Sequence, residues 1–399
     1  MKKVLINVSS KEDYFFIRKL HDYFEARNLE VDIICTNIIV FAYLLLKGEK
    51  PLLAKQVEVK NGGLDINVSE YIKFNVESGS APKEDAIRSL FGFDKFLREY
   101  IERYDVDLMV IPSGRMLSQK IMKHHATRLG IKTLFIGYGN VPGKTFLDAE
   151  GTDRDSKLFN EIHLLHDFCV DSANFLGWRN SYLQEKLKVH HVPQSRTRNV
   201  GFIIKRTIRT LIGKIESIGS IAHDINYSFD SSLYSGNKTN YNFSTLPDKY
   251  IFFPMQLSSD AQIILNYEGD IYTAMNHAVD IAESMSVPLV VKPHPAEVSP
   301  IVSDYLSSMR ASGKIVITND NTFTVIQGAS EIITVNSTVG LESRLLGKPV
   351  RFLGDSLFER IPEHLLGAYL LGYLFDLDYF DDSSLRVELY PKLDTIIGY

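Results

Sequence analysis

The sequence predicts an α/β protein made of two doubly wound parallel sheets, and three observations carry that expectation. Short apolar, β-branched runs alternate with stretches whose apolar residues recur at helical spacing. The alternation occurs twice, on either side of a Ser-, Asn-, Gly- and Tyr-rich stretch from Ser228 to Pro247 that reads as a linker or loop. The chain's 399 residues, 45% of them hydrophobic, are enough for two cores.

In the first half, Val4–Val8 reads as a strand, Glu12–Arg27 as a helix and Val31–Cys35 as a second strand, a βαβ opening. Ala86–Tyr104 is helical by the spacing of Ile87, Leu90, Phe91, Phe96 and Ile101. Leu108–Ile111, Met116–Leu129 and Thr133–Ile136 then give strand, helix and strand. A glycine-rich loop follows, Gly137 to Thr145, leading to Asp148-Ala149-Glu150-Gly151. Its Gly-x-Gly lacks the third glycine and the helix of a dinucleotide fingerprint. Lys144, Asp148 and Glu150 fall at a strand edge, where loops often carry chemistry; a solvated turn with incidental charges is the plainer alternative.

Between Ser181 and Ser220, Arg196, Arg198, Lys205, Arg206, Arg209 and Lys214 interleave with apolar residues. Such a helix can lie on an anionic membrane surface, or pack on its own domain with a solvated basic face. The second half repeats the alternation through strands at Tyr250–Phe253, Pro288–Val291, Lys314–Ile317, Glu331–Val335 and Pro349–Phe352. Helices are expected at Ile271–Ser284, Phe323–Gly328 and Val339–Leu346. The domains expected are 1–245, with a helical insertion near 181–220, then 246–380, then a terminal helix from 381 to 399.

Composition excludes several functions. A net charge of -5 gives no general argument for nucleic acid. Cys35 and Cys169 form no C-x-x-C pair, which suits a reducing compartment and argues against a cysteine metal site. No signal sequence is legible, and the longest apolar stretch, Ile38–Leu46, is far short of a membrane span. A cytoplasmic protein is expected, with peripheral contact at the inner face of the membrane left open by the basic stretch.

Three loops of the second half converge on one sheet edge. They carry Gln256 with Asp260; Lys292 with His294 and Pro295; and Asn336, Ser337 and Thr338 with Gly340 and Glu342. Small hydroxyl residues at a helix start leave backbone N–H groups and a positive helix end facing the crevice, which suits an anion. In open α/β sheets that crevice is the usual ligand site. Each residue also has a plain structural reading: Ser337 or Asp260 as an N-cap, His294 as a turn residue.

The strings "FFPMQLSSDAQI", "VKPHP" and "VNSTVGLESRLLGKPV" resemble the capsule polysaccharide biosynthesis family, which includes retaining β-Kdo transferases; "GNVPGKTFLDAEG" is a weaker echo. The resemblance covers Tyr250–Phe352 best. It implies a GT-B fold with a C-terminal helix crossing back to the first domain, a CMP-activated 3-deoxy-2-ulosonic acid as donor, a sugar or lipid-linked glycan as acceptor, and no required metal. On this resemblance His294, Ser337 and Thr338 hold the CMP phosphate and Glu342 takes the ribose or base. Asp260 is then the nucleophile of a double displacement. The acid/base lies between Glu150 and Asp148, because two adjacent acids are expected before the glycine where this chain has Asp-Ala-Glu; Glu150 is favoured. Kdo is the first expectation for the sugar. A nonulosonic acid of pseudaminic or sialic type, a UDP-sugar epimerase-like protein and a non-catalytic glycan-assembly partner are the alternatives.

Overall fold

The structure, a computed structural model, describes residues 2–54, 65–188, 243–297 and 299–399. The described residues of Met1–Phe168 and Tyr369–Tyr399 form one unit; those of 169–188 and 243–368 form the other. The second unit thus takes residues well before 246, and the first resumes at Tyr369 instead of at 381. Most of the basic stretch at 181–220, and most of the linker from Ser228, lie outside the described residues.

The first unit is built on β1 (Lys3–Val8), β2 (Glu30–Cys35), β3 (Leu52–Leu53), β4 (Val106–Pro112), β5 (Lys132–Tyr138) and β6 (Thr145–Asp148), in the order β3-β2-β1-β4-β5-β6. All neighbours run parallel except β6, which is antiparallel to β5. Its helices are α1 (Lys11–Arg18), α2 (His21–Ala26), α3 (Ile38–Leu46), α4 (Val68–Glu77), α5 (Lys83–Arg103), α6 (Leu117–Leu129) and the short α7 (Lys157–Asn160). Strand alternation sorts the core. Val4, Ile6 and Val8 pack with Phe16 and Tyr23 on one face, while Leu5 packs with Leu90 and Phe93 on the other.

Two expectations are corrected here. The single helix over 12–27 is broken at Lys19 and Leu20, whose N–H groups turn to the carbonyls of Phe16 and Ile17. The break buries the Lys19 stem and carries its ammonium to the Asp378 carbonyl and to Asp381. The glycine-rich loop is a hairpin, in which β5 runs on to Tyr138 and β6 returns from Thr145. Asn140 and Gly143 supply the positive φ that so tight a reversal needs.

The final segment completes this unit's core. Phe375 bridges Thr145, and Leu377, Tyr379, Leu385, Leu393 and Ile397 join the cluster around Ile6 and Phe16. Tyr379 stacks on Phe16 at 4.8 Å and donates to Asp13 at 2.8 Å. Asp394 accepts from Tyr23 at 2.7 Å and pairs with Arg27. Of the terminal helix expected from 381 to 399 only Tyr390–Ile397 is α-helical, after a 3-10 turn at Val387–Leu389. Pro391 explains the late start, because proline fits an α-helix only in its first turn.

The second unit opens with α8 (Ser172–Lys188) and continues through β7 (Ile251–Pro254), β8 (Leu289–Lys292), β9 (Val316–Ile317), β10 (Glu331–Thr334) and β11 (Val350–Phe352). The order β11-β10-β7-β8-β9 is parallel throughout. Read from the first strand of each unit, both sheets share one winding: the next two strands build outward on one side, the following two on the other. The fold is α/β, with one doubly wound sheet in each unit. Because β7 lies between β8 and β10, the loops leaving these three strands are neighbours. The winding reverses between β7 and β10, which makes that gap the ligand crevice of such a sheet.

Candidate active site

Gln256, the second residue after β7, and Asn336, the second after β10, are both buried and face each other across that reversal. The Gln256 side chain donates to Asn336 Oδ1 at 3.2 Å and accepts from the Asn336 backbone N–H at 3.3 Å. Asn336 in turn donates to the Gln262 carbonyl at 3.2 Å. These bonds satisfy two buried amides and fix the two loops in register. Asp260 is half-exposed and caps the helix Ala261–Asn266, accepting from Gln262 N–H at 2.9 Å, with Gln256 Nε2 3.5 Å from its other oxygen. One face of the carboxylate is therefore held and the other is left accessible.

The loop after β8 is a rigid turn. His294 Nδ1 accepts from the Ala296 N–H at 3.1 Å, so in the neutral ring the proton sits on Nε2, aimed away from its own turn. Burial pushes the imidazole below its ordinary value of 6.5, against the pull of the Asp260 and Glu297 carboxylates. A neutral N–H donor is the result. Lys292 donates to the Asp320 carbonyl at 2.7 Å and to Thr322 Oγ1 at 2.9 Å, and burial lowers its pKa. It ties the end of β8 to the turn beyond β9. Pro295 is exposed.

Glu297 is one residue that sequence reasoning missed. Its carboxylate accepts from Ser258 N–H at 2.9 Å, in the loop of Asp260, and from Ser299 N–H at 2.9 Å, in its own loop. One side chain thus spans two of the three loops. Its place three residues after His294 was the only signal.

At the third loop, Ser337 caps the helix Thr338–Leu345 and accepts from Val339 N–H at 3.2 Å; Thr338 is half-exposed at the first turn. Gly340 serves packing, because a Cβ there would come within 2.5 Å of the Phe352 ring. Glu342 is buried, and its Oε1 accepts from Tyr182 Oη and Lys186 Nζ of α8, each at 2.8 Å. Its observed partners are α8 side chains. Sequence alone could not pair it with residues more than 150 positions away, and so missed Tyr182 and Lys186.

In the first unit the two acids before Gly151 are unlike. Asp148 is 1% exposed. Its Oδ1 accepts from the N–H groups of Glu150 at 2.8 Å, Gly151 at 3.2 Å and Lys157 at 2.9 Å; its Oδ2 accepts from Leu158 N–H at 3.1 Å and Tyr373 Oη at 2.9 Å. With five donors around it, Asp148 organises the turn instead of offering an oxygen to solvent. Glu150 is exposed. Gly151 is explained by close approach, since a Cβ there would lie 2.4 Å from the Asp155 carbonyl oxygen. Among the described residues, the His, Asp and Glu groups close enough to share an ion are His21, Asp22 and Glu25, exposed on α2.

Residues 205–361, which contain all three loops, match the family described as "Capsule polysaccharide biosynthesis protein". Protein FixF of Sinorhizobium fredii is 34% identical over 113 residues, a stretch that is 27% of this chain and 27% of FixF. Among solved structures, the β-Kdo 2,7-transferase KpsC of Thermosulfurimonas dismutans aligns with 100% of this chain and 99% of its own, at 10% identity and a TM-score of 0.41. The UDP-GlcNAc 2-epimerase of Methanocaldococcus jannaschii aligns over 100% of both chains at 13% identity, with a TM-score of 0.29. The segment 205–361, which holds the whole three-loop constellation, is thus the part of the chain that is similar to the capsule polysaccharide biosynthesis family.

Proposed function

We propose that the chain is a retaining glycosyltransferase that moves a 3-deoxy-2-ulosonic acid, Kdo in the first place, from its CMP-activated form to a sugar acceptor of a bacterial surface polysaccharide. The observation that carries this reading is the company of Asp260. A half-exposed carboxylate stands beside a neutral His294 and near a capped helix N-terminus, at the strand-order reversal of a sheet bearing the capsule-family signature.

In the proposed first step an Asp260 oxygen bonds to the anomeric carbon, the bond from that carbon to the phosphate oxygen breaks, and CMP leaves with the electron pair. The His294 Nε2–H and the helix start at Ser337 and Thr338 stabilise charge developing on that phosphate. In the second step the acceptor hydroxyl attacks the same carbon and Asp260 departs as a carboxylate. Glu150, the exposed acid of the first unit, is assigned the hydroxyl proton. No metal enters this scheme.

The test is intact-protein mass after incubation with CMP-Kdo and no acceptor, followed by peptide mapping. A Kdo adduct on Asp260 is expected; an adduct on another carboxylate, or turnover with inversion, overturns the assignment. CMP alone, without a divalent ion, is expected to raise the melting temperature. A ligand at about a hundred times its dissociation constant stabilises by roughly 2.7 kcal/mol.

A further inference from the structure

The apolar run Ile38–Leu46, too short to span a membrane, forms a helix whose surroundings give it another use. We propose that α3 is a docking face by which the first unit sits on an anionic lipid bilayer. All nine of its residues are apolar, yet only Val40 and Leu44 are buried. Leu46 is 87% exposed and Leu45 51%; the nearby Phe15 of α1, whose ring meets Tyr43 at 6.3 Å, is 45% exposed. Single exposed leucines are ordinary, but adjoining ones along a wholly apolar helix are not.

The charge around this face selects the occupant. Lys11 and Lys47 place their ammonium groups 4.3 Å and 5.7 Å from the Tyr43 ring, and both residues are exposed, as are Arg18 and Lys50. The nearby Glu49 accepts from Tyr14 Oη at 2.7 Å, so this acid is drawn inward. A chain with net charge -5 thus shows a local cationic rim around an apolar helix. Nine residues of helix extend about 14 Å, against the roughly 30 Å of a hydrocarbon core, so α3 would lie in the plane of the interface. Leucines reaching the acyl boundary, a tyrosine at headgroup level and lysines toward anionic lipid are the arrangement such a helix uses. A second copy fits worse, because a twofold contact would set Lys11 and Lys47 against their own equivalents.

The experiment is flotation of the full chain with vesicles of phosphatidylcholine and phosphatidylglycerol in equal parts, and with phosphatidylcholine alone. Binding is expected to the mixed vesicles only, weakening as salt rises. Leu45→Ser/Leu46→Ser should bind roughly tenfold or more weakly. Lys11→Ala/Lys47→Ala, which removes no buried apolar group, should lose a similar factor at low salt. Absence of wild-type binding, equal binding to neutral vesicles, or wild-type binding by both variants overturns the proposal. So does a dimer in solution that Leu45→Ser/Leu46→Ser dissociates, since the occupant would then be a second copy.

Discussion

Asp148 ends the strand β6 and Asp260 lies in the loop that follows β7; both accept backbone N–H groups, yet their surroundings divide their roles. Asp148 is buried under five donors drawn from the turn at 150–151, the start of α7 and the Tyr373 phenol. Asp260 holds one N–H, has one long contact to Gln256 and keeps a solvent-facing side. A carboxylate saturated with donors is a structural part, because attack on carbon would have to give up bonds that hold a fold together. A carboxylate fixed on one side only is oriented and still has an electron pair to use.

The largest expected effect tests that contrast directly. Asp260→Asn should lower transfer by several orders of magnitude with little change in melting temperature or CMP binding. Near-normal transfer by this variant would remove the distinction. Glu150→Gln should cost about a hundred- to ten-thousand-fold in turnover, since an acid/base contributes on that scale, with donor binding intact. Asp148→Asn should act on stability, by roughly 3 kcal/mol in urea unfolding, because an amide cannot accept from donors on both sides. Tyr373→Phe, which removes one of the five donors, should cost about 1–2 kcal/mol. An Asp148→Asn protein of wild-type stability that lacks transfer would reverse the two roles.

A finer probe is the imidazole of His294, followed by NMR. Asp260 and Glu297 each draw its titration upward against burial, so Asp260→Asn and Glu297→Gln should each move it to lower pH, and Asp148→Asn should leave it alone. Its folded value lies below the ordinary 6.5. The stabilising contribution of the neutral ring is therefore present above pH 6.5 and is lost as pH falls through that lower folded value. A His294→Gln protein should lack this part of the acid destabilisation.

What the sequence made legible was local. Strand ends, the caps Asp260 and Ser337 and the turn at His294 are set by residues within a few positions, so spacing and side-chain type reveal them. The convergence of three loops was also within reach, because alternating strands and helices imply one carboxyl edge. What remained hidden was non-local or a matter of accessibility. The Gln256–Asn336 pairing depends on β7 lying between β8 and β10, and the Glu342 contacts come from a helix more than 150 residues earlier. Asp148 and Glu150 were indistinguishable as letters; only the packing of Tyr373 and α7 around one of them separates a hub from an exposed acid. The hairpin at Gly137–Thr145 was hidden because its second strand is four residues long and polar at both ends.

The assignment of Tyr369–Tyr399 to the first unit also bears on how the chain can be made. Phe375, Leu377, Tyr379, Leu385, Leu393 and Ile397 belong to the core that Val4 and Ile6 begin. At ordinary elongation rates of about 5–20 residues per second, the roughly 200 residues between Phe168 and Tyr369 take about 10–40 s to synthesise. Throughout that interval the first sheet stands with one face short of six apolar side chains. The half that is translated first is therefore the half that closes last, and it is the natural client of whatever holds nascent chains from aggregating.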